Sequence, residues 1–295
     1  MASHERYYVP EQSPWPVIAS LGLLCGFAGA GLWLNALKAG REGFGGPLLL
    51  LCGALLLAWV LSGWFGHVIR ESRAGLYSAQ MDRSFRWGMR WFIFSEVMFF
   101  AALFGALFYV RVFVGPWLDG AGDKGVSAML WPDFAFAWPL LENPDPARYP
   151  GPSGVIDPWQ LPLLNTVLLL ASSLTLGLAH HALRRDARRS LGLWLALTVL
   201  LGVAFLILQA VEYRHAWHAL GLTPGSGIYA ATFYLLTGFH GLHVSLGAFI
   251  LAVMLVRVLR GHFDARQHFG FEAAAWYWHF VDAVWVGLFL FVYVF

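Results

Sequence analysis

Seven stretches of this chain are almost wholly apolar, and each is long enough to cross a lipid bilayer. They run 15–37, 47–66, 91–114, 159–183, 191–213, 227–259 and 271–295. At the rise of an α-helix, about 20 residues span the hydrocarbon core. A backbone in that core finds no water to bond, so a spanning segment of this length must be helical. The expectation is an all-α membrane protein of seven transmembrane helices. Composition agrees: 59% of residues are hydrophobic and 12% charged, where soluble domains carry about 25% charged. Mean hydropathy is +0.62. The 15 Trp suit interfacial belts. A net charge of +2 gives no footprint for nucleic acid.

Local chemistry supports these spans. Ser13-Pro14-Trp15-Pro16 opens the first, and proline suits a first helical turn. Gly22, Gly26 and Gly29 give that helix a thin side for close packing. The residues before it are polar and then Pro-rich, without the pattern of a signal peptide. Cys25 and Cys52 lie inside apolar runs and read as small buried residues. Segment 115–158, rich in Pro, Gly, Asp and Trp, has no helical period and reads as a loop. With seven spans, 13 of the 19 Lys and Arg fall on the side holding the N-terminus, 67–90, 184–190 and 257–270. The positive-inside rule makes that side cytoplasmic and puts the C-terminus outside.

The polar residues inside the spans are the functional candidates. Glu96 lies six residues past Arg90 in an apolar run, about 9 Å into the helix. An intramembrane acid marks function by default; the plainer reading is a protonated acid bonded to a neighbouring helix. In the last span Glu272, Trp276, His279 and Asp282 share one face, aimed at a partner or paired internally. His240 and His243 could ligate a metal or haems, but no second helix offers matching ligands, and hydrogen-bonded imidazoles at a close helix contact fit better. Gln209 and Glu212 read as an interfacial network with Arg214 and His215. His180, His181, His268 and Glu272 fall near one surface and could gather Zn²⁺, against simple hydration. Arg70, Glu71, Arg257 and His262 sit at span ends. They suit lipid phosphates, or simply set topology. No phosphate loop, haem-attachment motif or nucleophilic triad appears. The chain therefore offers no catalytic residues and no metal centre of its own.

Ordered motifs run from end to end. They are Ser13-Pro14-Trp15-Pro16, Val68-Ile69-Arg70-Glu71-Ser72, Phe92-Ile93-Phe94-Ser95-Glu96-Val97-Met98-Phe99-Phe100 and Pro162-Leu163-Leu164-Asn165-Thr166. Then follow Ala179-His180-His181, Leu208-Gln209-Ala210-Val211-Glu212-Tyr213, Thr237-Gly238-Phe239-His240-Gly241-Leu242-His243-Val244, and His268 through Asp282. With these motifs the chain resembles subunit III of the haem–copper cytochrome c oxidases. The resemblance implies a two-helix unit (15–66) and a five-helix bundle (89–295, with the 115–158 loop), separated by a lipid-filled cleft. Residues 1–14 would be a cytoplasmic N-terminus and 67–88 a cytoplasmic linker. It implies a non-redox subunit that docks on subunit I, in a complex with subunit II and a small subunit IV. Haem and copper would sit in those partners, and cytochrome c would be the substrate of the complex. The chain would hold phospholipids at Arg70, Glu71, Arg257 and His262, support proton uptake and protect against turnover inactivation. Glu96 would be the family's buried, carbodiimide-reactive acid. The long loop resembles bacterial relatives, so a bacterial inner membrane is expected. The alternatives are a related subunit of a quinol oxidase or nitric-oxide-reductase complex, and a proton-coupled transporter; a transporter's internal repeat is not found.

Overall fold

The computed structural model describes residues 8–9, 12–41, 43–265 and 268–295, so residues 1–7 of the expected N-terminal segment lie outside it. Among the described residues there is no strand. The long helices are α1 (Trp15–Lys38), α2 (Gly45–Arg73), α3 (Ala79–Tyr109), α4 (Leu161–Arg184), α5 (Arg188–Ala219), α6 (Ile228–Leu259) and α7 (Phe269–Leu288). A wide turn, Val110–Val114, carries α3 on to Leu118, and a second, Phe289–Val294, extends α7. Among the described residues seven helices are thus long and apolar enough to cross a membrane.

Two of them run further than their apolar runs. The segment 67–88, read above as a polar linker, is mostly helix: α2 continues to Arg73 and α3 begins at Ala79. Helix propensity does not require apolar residues, and Arg, Glu and Gln are good helix formers. Gly75, in the left-handed region at φ 70°, ends α2 there. The 115–158 segment is irregular apart from Gly115–Leu118 and a 3₁₀ stretch, Gly122–Met129.

The chain divides after Phe85 into two compact units. In the first, α1 and α2 pack antiparallel along a ladder of glycines. A Cβ on Gly53 would strike the backbone of Gly26, one on Gly29 the backbone of Leu50, and one on Gly46 the backbone of Trp33. Of the thin side expected of α1, Gly22 and Gly29 face a second thin side on α2, while a Cβ on Gly26 would itself meet nothing within 4 Å. Trp15 closes the far end by lying over Gly63, edge-on to Trp59 at 5.5 Å. Cys52 is exposed and Cys25 half-buried. The expectation of buried cysteines fails because this hairpin has only one inner face, and the ladder of glycines fills it.

In the second unit α7 is the central helix. Its spanning window is 56% buried, against 11% for α3. Trp278 and Trp285 are the largest fully buried side chains. Trp278 fits because two neighbours lack side chains: a Cβ on Gly202 would lie 2.6 Å from it and one on Gly247 2.9 Å. From Arg86 onward α3 joins this unit through long aromatic side chains. Phe99 meets Phe239 at 5.0 Å and Phe100 meets Phe280 at 6.1 Å. The long loop is folded onto the same unit. Ser153 N donates to Leu220 O at 2.9 Å, and Asn143 Nδ2 donates to Ser226 O at 3.2 Å.

Candidate functional site

The polar side chains of the second unit lie in three levels between its helices. At the first level α7 starts beside the end of α4. Glu272 forms an ion pair with Arg86 of α3. Its Oε1 lies 3.2 Å from His268 Nε2 and 3.7 Å from His180 Nε2. The ligand atoms of His180, His268 and Glu272 all fall within 4.8 Å of one another. Three of the four residues grouped by sequence therefore converge, while His181 is exposed on the other side of its helix. The Arg86 guanidinium already supplies the cation that the Glu272 carboxylate calls for.

Glu96 and His243 define the middle level, bridging α3 and α6 at 2.9 Å. His243 Nδ1 lies 2.7 Å from Phe239 O and donates to it. That leaves Nε2 and Glu96 Oε2 to share one further proton, since two bare acceptors would repel. Glu96 is 22% exposed at its side chain, not fully buried as expected, because α3 stands at the edge of the unit. Its nearest charge partner is His243. His240 points the other way: its Nε2 lies 3.2 Å from Val281 O, and its ring leans on Trp285 at 5.1 Å. The two histidines of α6 thus serve different neighbours and do not converge on a common ligand.

Also at mid-height, α4 and α7 are stitched by side chains in antiparallel order. His279 Nδ1 lies 2.6 Å from Ser173 Oγ. Trp278 Nε1 donates to Ser172 Oγ and Trp285 Nε1 to Thr166 Oγ1, both at 2.9 Å. Asp282 is 4% exposed, with neither carboxylate oxygen hydrogen-bonded among the described residues. The last level is a network at the loop end. Gln209 Nε2 donates to Glu212 Oε1 at 3.0 Å, Tyr293 OH donates to the same oxygen at 2.7 Å, and Asn165 Nδ2 donates to Gln209 Oε1 at 3.4 Å. Arg214 and His215 take no part, contrary to expectation. Both side chains lie on the exposed face of the helix instead.

Sequence reasoning missed Arg86, Ser172, Ser173, Thr166, Asn165 and Tyr293. The seven-residue step from Trp278 to Trp285, which keeps both indoles on one face of α7, was the available signal. Of the span-end residues, Glu71 in the first unit accepts from Tyr77 OH at 2.7 Å and from Tyr8 OH at 3.1 Å, while Arg70 is exposed. In the second unit the Arg257 guanidinium sits 4.2 Å over the Phe263 ring. His262 is half-buried, its N–H bonded to Arg257 O at 3.0 Å.

Fold and polar core together define an integral membrane protein whose intramembrane ionisable groups largely tie helix to helix. A sequence profile of the family described as Cytochrome c oxidase subunit III matches residues 4–119 and 147–295. Proteins called Cytochrome c oxidase subunit 3 are similar throughout. That of Formosania lacustris is 38% identical over 290 residues, covering 97% of this chain and 96% of its own. That of Oryctolagus cuniculus is 37% identical over 288 residues with the same coverages, and that of Pongo abelii 38% over 290. The chain belongs to the cytochrome c oxidase subunit III family. It is thereby a subunit of an oxidase complex, working with other oxidase subunits in a membrane.

Proposed function

We propose that this chain is the non-redox subunit III of a proton-pumping cytochrome c oxidase, with no catalytic residues of its own. On this reading it docks on subunit I, with subunit II and a small subunit IV in the same complex. Those partners carry the haem and copper, and cytochrome c is the donor. Its contribution is to hold phospholipid at Arg70, Glu71, Arg257 and His262, to support proton uptake, and to protect the complex from inactivation during turnover. The complex resides in a bacterial inner membrane, N-terminus in the cytoplasm and C-terminus outside.

The observation that carries the reading is how the intramembrane groups are engaged. Glu96 has His243, Glu272 has Arg86 and two histidines, and Glu212 has Gln209 and Tyr293. A transporter or pump needs acids that exchange partners along a path; these three instead join helices, while Asp282 has no hydrogen bond to its carboxylate among the described residues. The test is a mild-detergent pull-down of the chain with a reduced-minus-oxidised visible spectrum. Haem bands should arrive with partner subunits, and a harsher wash should remove both and leave the chain colourless. Haem that stays with the isolated chain would defeat the non-redox assignment. A chain that never brings down an oxidase would defeat the rest.

A further inference from the structure

We propose that the loop-side end of α5 is a binding site for an anionic phospholipid. Arg214, His215 and His218 would hold the headgroup, and the apolar face behind them an acyl chain. A shallow cavity of about 510 Å³ lies there, lined by Val211, Arg214, His215, His218 and Ala219. All three basic side chains are exposed, and none has a side-chain polar partner among the described residues. The acid nearest in sequence does not neutralise them. Glu212 is 1% exposed, turned into the bundle and engaged by Gln209 and Tyr293.

Depth and continuity identify the ligand class. The apolar run of α5 ends at Tyr213, so Arg214 is the first residue beyond the hydrocarbon, at the level of lipid phosphates. Trp217 beside it is 51% exposed, an amphipathic ring suited to the headgroup layer. Behind them Leu193, Leu197, Leu200, Ile207 and Val211 recur in steps of three, four and seven and are each at least 40% exposed. They form one apolar stripe that ends in the cavity. A free phosphate would leave this stripe unused, and so would an acidic soluble protein. A zwitterionic lipid would bring its own ammonium into a cluster that lacks an acid. A phospholipid of net negative charge satisfies both the cluster and the stripe.

The test places the full chain, in its oxidase complex, in nanodiscs of equal parts phosphatidylglycerol and phosphatidylcholine. Retained lipids are then counted by native mass spectrometry. The variant Arg214→Gln/His215→Gln/His218→Gln should lose about one phosphatidylglycerol per chain, with phosphatidylcholine unchanged. Arg214→Lys should keep it. Equal phosphatidylglycerol counts in wild type and triple variant would overturn the site. Parallel loss of both lipids would overturn its preference for negative charge. Should the triple variant not assemble, Arg214→Glu alone must give the same loss.

Discussion

Glu96 and His243 lie 147 residues apart in sequence and share one proton across two helices. A glutamine can replace the acid in that contact, since its amide still donates to an imidazole nitrogen. Glu96→Gln should therefore assemble and retain much of its oxidase activity and proton pumping. A fully assembled variant that no longer pumps would mean that Glu96 handles protons and not only packing. His243→Leu should do more harm, leaving the acid without its partner at a cost of about 1–3 kcal/mol, read as a lower melting temperature of the complex. At the edge of the first unit, burial and the Glu71 carboxylate push the Tyr77 hydroxyl above its ordinary value. The folded form thus holds this proton more tightly than the unfolded chain. Its stabilising contribution is complete below about pH 10 and is lost as pH rises further. The loss of thermal stability above that pH should be smaller in Tyr77→Phe; an unchanged profile would count against the Glu71–Tyr77 bond.

Helix pairs in the two units are built by different means. The α1–α2 pair relies on backbone approach, so Gly53→Val should destabilise it by about 1–3 kcal/mol. Gly31→Val is the matched control, because a Cβ there meets nothing within 4 Å. Equal melting of the two variants by circular dichroism would refute the glycine ladder. Between α4 and α7 the ties are indole and imidazole nitrogens bonded to Ser and Thr oxygens. At this scale sequence reading succeeds for the thin side of α1, because small residues at helical spacing are visible in one strand of text. It fails for Trp278 and Trp285, whose choice of Ser172 and Thr166 depends on the order in which two distant helices pack. The helices run on into 67–88, because hydropathy reports where the bilayer is, not where a helix stops.

Orientation belongs to the whole molecule. Ala147 in the long loop and Ala187 between α4 and α5 are both exposed, on segments that the charge distribution assigns to opposite sides. With Cys25 and Cys52 replaced by alanine, Ala147→Cys should react with an impermeant thiol reagent added outside intact cells. Ala187→Cys should react only after the membrane is opened. The reverse pattern would invert the proposed topology.

From sequence alone came the seven spans, the all-helical class, the list of intramembrane polar residues and the family resemblance. Each rests on information written along the chain, namely length, apolarity and motif order, which the bilayer reads without regard to tertiary contacts. Only the tertiary structure decided which polar groups meet. Glu96 turned to His243, Glu272 gathered Arg86 with two histidines, and Arg214 turned away from Gln209 and Glu212 to the exposed face. The physical reason is that leaving a polar group unpaired in a low-dielectric interior costs free energy. Which partner it finds depends on how helices a hundred residues apart are rotated and staggered against one another.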